Sequence, residues 1–321
     1  MKSLSSVVIN KLRRRRYILF FLAIIGAFLW AITSLKISRL LNKSGHFFTT
    51  YKPLKDSSKF VKSPNSDINH LLSKPIINKH DFHYIHNPTY KCHEHPIEVI
   101  FTIRSDAINS WKRQKFRSVL FYKHLRATSL KVSLLFFIGL PGNGTKSYIL
   151  QRNIDNEARH YNDIVQENYE DVFRNRFFKS VSILKWIRTF CSNAKYVIRV
   201  DDDTNVVVNQ VINVIYETGR KFDNFILSWP PIDGVVNKDS NDDYYVSEEE
   251  YFSDNFTSYM HNGIVGYNSL AISLLYEAAL RLSPVWMQDL FINGVCGMAA
   301  NVIHVSDERF KSVYEDDCSC D

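Results

Sequence analysis

The chain has 321 residues and a net charge of +7. The charge is divided: residues 1–91 carry 16 Lys/Arg against three acids, while residues 92–321 carry 24 against 30, a net of −6. A mildly acidic C-terminal region without a phosphate-tracking basic stripe argues against a nucleic-acid-binding protein, and 45% hydrophobic residues with 14% aromatics exclude a disordered chain. Five cysteines without a CxxC pair specify neither a disulfide scaffold nor a zinc site.

The first element is an uncharged 19-residue run, Tyr17–Leu35. As one helix it rises about 28 Å, enough for a bilayer core. Lys2, Lys11 and Arg13–Arg16 precede it without an acid among them. The larger positive cluster stays cytoplasmic, so 1–16 is predicted as a cytoplasmic tail, 17–35 as a signal anchor, and the rest as lumenal. A cleaved signal peptide has a shorter apolar region and a small-residue cleavage site, which Leu35-Lys36-Ile37-Ser38-Arg39 does not supply. Residues 36–91 are polar and contain Pro53, Pro64, Pro75 and Pro88. They are predicted as an extended stem, with residues 92–321 as one lumenal domain.

Within that domain, apolar runs at 97–103, 131–139, 195–200 and 224–229 read as strands. Residues 109–126 and 174–190 read as helices, the second with Phe177, Val181, Leu184 and Ile187 at helical spacing. Alternating strands and helices predict an α/β fold with a mostly parallel, doubly wound sheet, whose ligands bind at the carboxyl ends of the strands.

Asp201-Asp202-Asp203 follows the third strand directly. An acidic triplet is commonly a solvated loop, but here an apolar strand ending in Val200 precedes it and apolar Val206–Val208 follows. Anions so confined repel one another unless a cation sits among them. Mg²⁺ and Mn²⁺ take carboxylates and complete their shells with substrate phosphates. The triplet is therefore a candidate site for a metal-bridged diphosphate, and in a membrane-anchored lumenal protein the obvious diphosphate is a nucleotide sugar. A second candidate is Asp289, in Gln288–Gly294. It reads either as a helix-start acid favoured by the helix dipole or as a general base; spacing leaves both open.

With these residues in place, the chain resembles the β-1,3-galactosyltransferase/β-1,3-N-acetylglucosaminyltransferase family, glycosyltransferase family 31. Arg113–Arg117 resembles R-x-x-I-R, and Tyr161–Ile164 resembles Y-x-D-I. Asp171-Val172-Phe173-Arg174-Asn175-Arg176-Phe177-Phe178-Lys179-Ser180 fits D-x-Y-x-N-L-T-x-K-T without a gap. Phe190–Val197 leads to the triplet as in F-C-P-x-A-x-Y-V-x-K-x-D-D-D, Tyr245–Tyr251 resembles Y-V-S-x-x-E-Y, and Gln288–Gly294 resembles E-D-V-F-x-x-G. Gln288 replaces the family's Glu, Val119-Leu120 replaces Thr-Trp, and Met260 stands where a cysteine is usual. The donor side matches, while the acceptor-side loop diverges.

The resemblance implies a nucleotide-diphosphosugar transferase (GT-A-like) fold in a single-pass type II Golgi membrane protein. It implies inverting transfer of a hexose or N-acetylhexosamine from a donor such as UDP-galactose or a UDP-N-acetylhexosamine to a protein or lipid glycan, in β-1,3 linkage. Asp203 and Asp201 would hold Mn²⁺ or Mg²⁺, with His304 a further metal-ligand candidate. Arg104, Arg117, Lys179, Asp201 and Asp202 would meet the UDP-sugar, and Asp289 would be the base. Each of these cations also reads as an ordinary surface charge. Two other classes remain open: a transferase-like chaperone or partner subunit without catalysis, and a membrane-anchored lectin-like module. Cys191, Cys296, Cys318 and Cys320 are disulfide candidates. Of the N-x-S/T sites at Asn42, Asn143 and Asn255, the latter two lie in turn-like contexts suited to glycans.

Overall fold

The computed structural model describes residues 68–93, 97–118, 130–142, 144, 146–260, 263–311 and 313–314. The expected tail, the membrane anchor and the first part of the stem lie outside these residues, as do Asn42, Asn143, Cys318 and Cys320. Among the described residues no helix is long and apolar enough to cross a membrane.

In chain order the elements begin with helix α1 (Ile68–Ser73), β1 (Tyr84–His86), α2 (Tyr90–His93) and β2 (Val99–Arg104). Helix α3 (Ser110–Phe116), β3 (Val132–Leu140), α4 (Ser147–Tyr161) and β4 (Ile164–Glu170) follow. Next come α5 (Arg176–Phe190), β5 (Tyr196–Asp201), the short β6 (Thr204–Asn205), α6 (Val208–Gly219) and β7 (Phe225–Ser228). The C-terminal part holds β8 (Pro231–Ile232), β9 (Tyr259–Met260), β10 (Ile264–Asn268), α7 (Ser269–Arg281), a π-helix (Leu290–Cys296) and β11 (Ile303–Ser306).

Eight strands form one sheet in the order β1-β4-β3-β2-β5-β10-β7-β11. Strands β4, β3, β2 and β5 are parallel neighbours, as are β7 and β11. Because parallel strands are covered on both faces, they read as near-continuous apolar runs, and all six residues of β2 are buried. Alternate residues enter two cores. Ile100, Phe137 and Val197 pack with Val181, Leu184 and Ile187 of α5 and with Leu275 of α7. Phe101, Phe136 and Ile198 pack with Ile154 of α4 and with Val211 and Ile215 of α6. The result is a mixed α/β fold with a mostly parallel central sheet between two helical layers.

Three features differ from the sequence expectation. Strand β10 runs antiparallel between β5 and β7 and pairs with both. Its first neighbour, Gly263, lies so close to the Thr204 side chain that a Cβ would overlap it, so the turn beside the acidic triplet requires glycine.

The second difference concerns the stem, expected over 36–91. Residues 68–91 fold onto the domain instead. Helix α1 packs on α7, and β1 adds an antiparallel edge strand to β4 with Tyr84 opposite Glu167. The buried His80 Nε2 meets Glu167 Oε2 at 2.6 Å, and Lys185 Nζ donates to Glu167 Oε1 at 2.7 Å. Trp186 Nε1 donates to Asn87 Oδ1 at 2.7 Å. Elements this short leave no period to detect in sequence, and every partner is remote along the chain.

Third, Cys191 is bonded to Cys92, across a separation of 99 residues, and not to Cys296, which is a buried free thiol. A bond of this span removes much freedom from the unfolded chain. Cys92→Ser is expected to lower stability by roughly 2–5 kcal/mol. Equal guanidinium midpoints for variant and wild type, without reductant, would refute that.

Candidate active site

Strands β2 and β5 end side by side, with Arg104 in register with Asp201. Side chains two apart on a strand share a face, so Arg199 projects with Asp201. Arg104 Nε and Nη2 donate to the two oxygens of Asp201 at 2.5 and 2.7 Å. Its Nη1 donates to Asp289 Oδ1 at 3.2 Å, and Arg199 Nη1 reaches the same oxygen at 2.9 Å. Asp289 is 6% exposed and stands at the start of the π-helix, yet its side chain makes no capping hydrogen bond. Asp289 thus stands at a helix start with its carboxylate turned onto two guanidiniums. π-Helical turns recur at functional sites.

The other members of the triplet have different surroundings. Asp202 is buried and accepts from Ser105 Oγ at 2.7 Å and Asn109 Nδ2 at 2.9 Å, with Lys112 Nζ 3.3 Å away. It fastens the segment after β2 to the end of β5. Asp203 is exposed and has no ion-pair partner among the described residues. Partial burial and the nearby charges of Asp201 and Asp202 push its carboxyl above the usual carboxylate range, against the pull of Lys112.

Lys179, in the first turn of α5, donates to Ser105 O at 2.8 Å and Asp106 Oδ1 at 2.7 Å, and pairs with Asp171 at 2.9 Å. The next residue, Ser180, accepts from Arg104 and donates to Gln288 Oε1 at 3.2 Å. Gln288 thus holds a hydrogen-bond position beside Asp289 without a charge.

These groups surround a cleft of about 390 Å³, lined by Arg104, Arg176, Asp203, Tyr244, Trp286 and Asp289 among others. A recess of about 120 Å³ adjoins it beside Asp106, Lys179 and Asp202. One wall is aromatic. Phe173 and Trp286 stack at 5.0 Å, Arg174 lies 4.5 Å over Trp286, and Trp286 Nε1 donates to Tyr245 O at 2.9 Å. Tyr244 closes the group and is 61% exposed.

Arg104, Lys179, Asp201, Asp202, Asp203 and Asp289 are thus brought to one cleft. Arg117 and His304 are not. Arg117 is a buried brace: it donates twice to Asp163 at 2.8 Å, pairs with Glu157 at 2.8 Å and stacks on Tyr161. His304 lies on β11, three strand positions from β5, roughly 14 Å at inter-strand spacing. Its ring is buried, hydrogen-bonds the Asn293 backbone, and burial pushes its pKa down. Among the described residues no three His, Cys, Asp or Glu side chains gather as a metal cage. Sequence reasoning missed Arg199, although a charge inside the buried run KYVIRV, two residues before Asp201, is a detectable signal. It also missed Arg176 and the Phe173–Trp286 wall, for which only the fold supplies the juxtaposition.

Comparison with known proteins adds four findings. A family model described as Galactosyltransferase matches residues 111–308. β-1,3-Galactosyltransferase 1 of Mus musculus is 23% identical over 254 residues, spanning 78% of this chain and 74% of that protein. The lactosylceramide 1,3-N-acetyl-β-D-glucosaminyltransferase of Xenopus tropicalis is 23% identical over 274 residues, 76% of this chain and 71% of that protein. Among solved structures, the WbbM bifunctional glycosyltransferase superimposes with a TM-score of 0.33 at 14% identity, covering 65% of this chain and 38% of that one.

Asp203 yields a stability prediction. A carboxyl whose pKa is raised by folding binds more protons in the folded than in the unfolded chain. Stability then falls as pH rises through its titration, and the penalty is complete above the folded pKa. Asp203→Asn is therefore expected to raise the Tm of the metal-free protein at neutral pH. Thermal unfolding in chelator checks this; a lowered Tm contradicts it.

Proposed function

The chain belongs to the galactosyltransferase family, and on that premise we propose that it is an inverting β-1,3-hexosyltransferase using a UDP-sugar donor, galactose or an N-acetylhexosamine. The sugar goes to a hydroxyl of a protein or lipid glycan. The observation that carries the reading is Asp289, held by Arg104 and Arg199 on the wall of a cleft whose other edge is the acidic end of β5.

The chain's own groups divide the work. Asp289, paired with two guanidiniums, accepts the proton of the acceptor hydroxyl as that oxygen attacks C1. The C1–O bond to the diphosphate breaks on the opposite face, so one displacement inverts the anomeric carbon. Arg104 and Arg199 keep the base in place, and Ser180 with Gln288 supports Arg104 from behind. Asp203 and the adjacent Asp201 fit Mn²⁺ or Mg²⁺. Asp203 lacks a cationic partner among the described residues and titrates high beside its neighbours, the situation a divalent ion relieves. Such ions need only one or two carboxylates when phosphate oxygens complete the shell. When bound, the metal offsets negative charge on the departing diphosphate. Mn²⁺ with UDP should raise the Tm of wild type but not of Asp203→Asn. The parallel half-sheet ending in this triplet supports the GT-A-like assignment. An acidic cleft that keeps both the triplet and Asp289 speaks against a catalytically silent partner subunit and against a lectin-like module.

The charge asymmetry around Tyr17–Leu35 and the Cys92–Cys191 bond, which needs an oxidising compartment, support a type II protein of the Golgi membrane with this domain lumenal. Asn255, in Asn255-Phe256-Thr257, is exposed. Glycosidase treatment of protein from secretory cells should increase its mobility, and Asn255→Gln should remove one increment. An Asn255→Gln protein migrating like wild type would show the site unused.

The decisive test of mechanism is Asp289→Asn. It keeps shape and loses the proton acceptor, so turnover should fall roughly 10²–10⁴-fold with UDP-sugar affinity nearly constant. Gln288→Ala should be milder. Near wild-type transfer by Asp289→Asn would remove Asp289 from the chemistry.

A further inference from the structure

The chain neutralises most of its own charge at the cleft. Arg104 is held by Asp201 and Asp289, Arg199 by Asp289, Lys179 by Asp106 and Asp171, and Lys112 by Asp202. A cation already paired with one or two carboxylates has little net field left for a substrate anion. Arg104 and Lys179, both candidates for diphosphate contact by sequence, are of this kind.

Arg176 is different. It is the first residue of α5, is exposed, and lines both the cleft and the adjoining recess, beside Asp201, Asp203 and Gln288. It forms no ion pair within the described residues. Its guanidinium lies 4.6 Å from the Phe173 ring centroid, a contact that orients the group without neutralising it. Its field reaches Asp106, whose carboxyl it helps hold below the usual range, behind the stronger effect of Lys179. Local structure does not demand an arginine here: the side chain is exposed and caps nothing. The pattern D-x-Y-x-N-L-T-x-K-T, which Asp171–Ser180 fits without a gap, has leucine at this position.

We propose that Arg176 is a diphosphate-binding residue that this chain adds to the donor side of the cleft. The inference rests on the UDP-sugar reading above. A nucleoside diphosphate set against Asp203 brings its phosphate oxygens to the junction of cleft and recess, where, among the described residues that line it, Arg176 is the cation without an ion pair. A guanidinium meets two phosphate oxygens in a fork geometry that a lysine ammonium cannot reproduce. In the transfer step the C1–O bond breaks with its electron pair going to the β-phosphate oxygen. The acceptor oxygen forms the new bond to C1, and its proton passes to Asp289. Arg176 faces the charge gained by the leaving diphosphate, so it acts on turnover as well as on binding.

The test uses the full-length protein in detergent with Mn²⁺, titrated calorimetrically with UDP and with uridine. It compares wild type, Arg176→Leu and Arg176→Lys. Leucine is the residue of the family pattern at an exposed position, so the variant should fold; equal Tm values check this. Loss of a charge-assisted contact should weaken UDP binding roughly 10–100-fold and leave uridine binding unchanged. Arg176→Lys should recover part of the loss. Equal UDP affinity in wild type and Arg176→Leu would overturn the proposal while leaving the transferase reading intact. Equal losses for UDP and uridine would overturn the phosphate assignment, because the effect would then lie on the nucleoside. A wild-type protein that binds no UDP would remove the transferase reading itself and this proposal with it.

Discussion

Arg104 joins three parts of the chain that are remote in sequence. Its partners Asp201 and Asp289 lie 97 and 185 residues away, and with Arg199 it ties the ends of β2 and β5 to the start of the π-helix. Burying these charges is costly. A buried ion pair often contributes little net stability, while removing one partner costs about 3–5 kcal/mol because a charge is left uncompensated. The value of the network is positional. It sets a carboxylate at a defined place on the cleft wall, with no reorganisation needed when the reaction starts.

The rest of the fold serves this junction. Parallel strands β4, β3, β2 and β5 put their carboxyl ends on one edge. Helix α5 returns to that edge with Lys179 and Ser180 near its N-terminus. Strand β10 then runs back beside β5, and its connection through α7 delivers the Gln288-Asp289 pair opposite the triplet. Asp202 and Lys179 fasten the segment after β2 from two sides. The edge facing substrate is consequently held by side chains from four separate elements, which suits a site that must keep its geometry while its ligands change.

The cleft has two chemically distinct sides. Toward the triplet it is ionic, and toward Phe173, Tyr244 and Trp286 it is aromatic. Both sides draw on segments that match the family motifs: the triplet and Lys179 on the ionic side, Phe173 on the aromatic side, with Tyr244 directly before the matching Tyr245–Tyr251 block. Trp286 is held in place by Arg174 and by the Tyr245 carbonyl, so the wall is firm even where Tyr244 is exposed.

The sequence by itself determined the central strands and the α5 helix, because their apolar runs are long enough for periodicity to reveal them. It also determined that Asp201–Asp203 end a buried strand, since that placement follows from contiguity alone. Tertiary structure decided what each of these carboxylates does. Asp201 became the partner of Arg104, Asp202 a fastening of the neighbouring segment, and Asp203 the one without an ion pair among the described residues. Three adjacent aspartates are equivalent until neighbours from other strands and helices surround them. The same holds for Asp289, which stands at a helix start and which two arginines far away in sequence set as a carboxylate on the cleft wall. It holds in reverse for Arg117 and His304, whose local patterns suited a site but whose places in the fold, after α3 and on β11, gave them to the interior. Residues 68–91 read as stem because each piece is short, and they became domain because β4 had an open edge to pair.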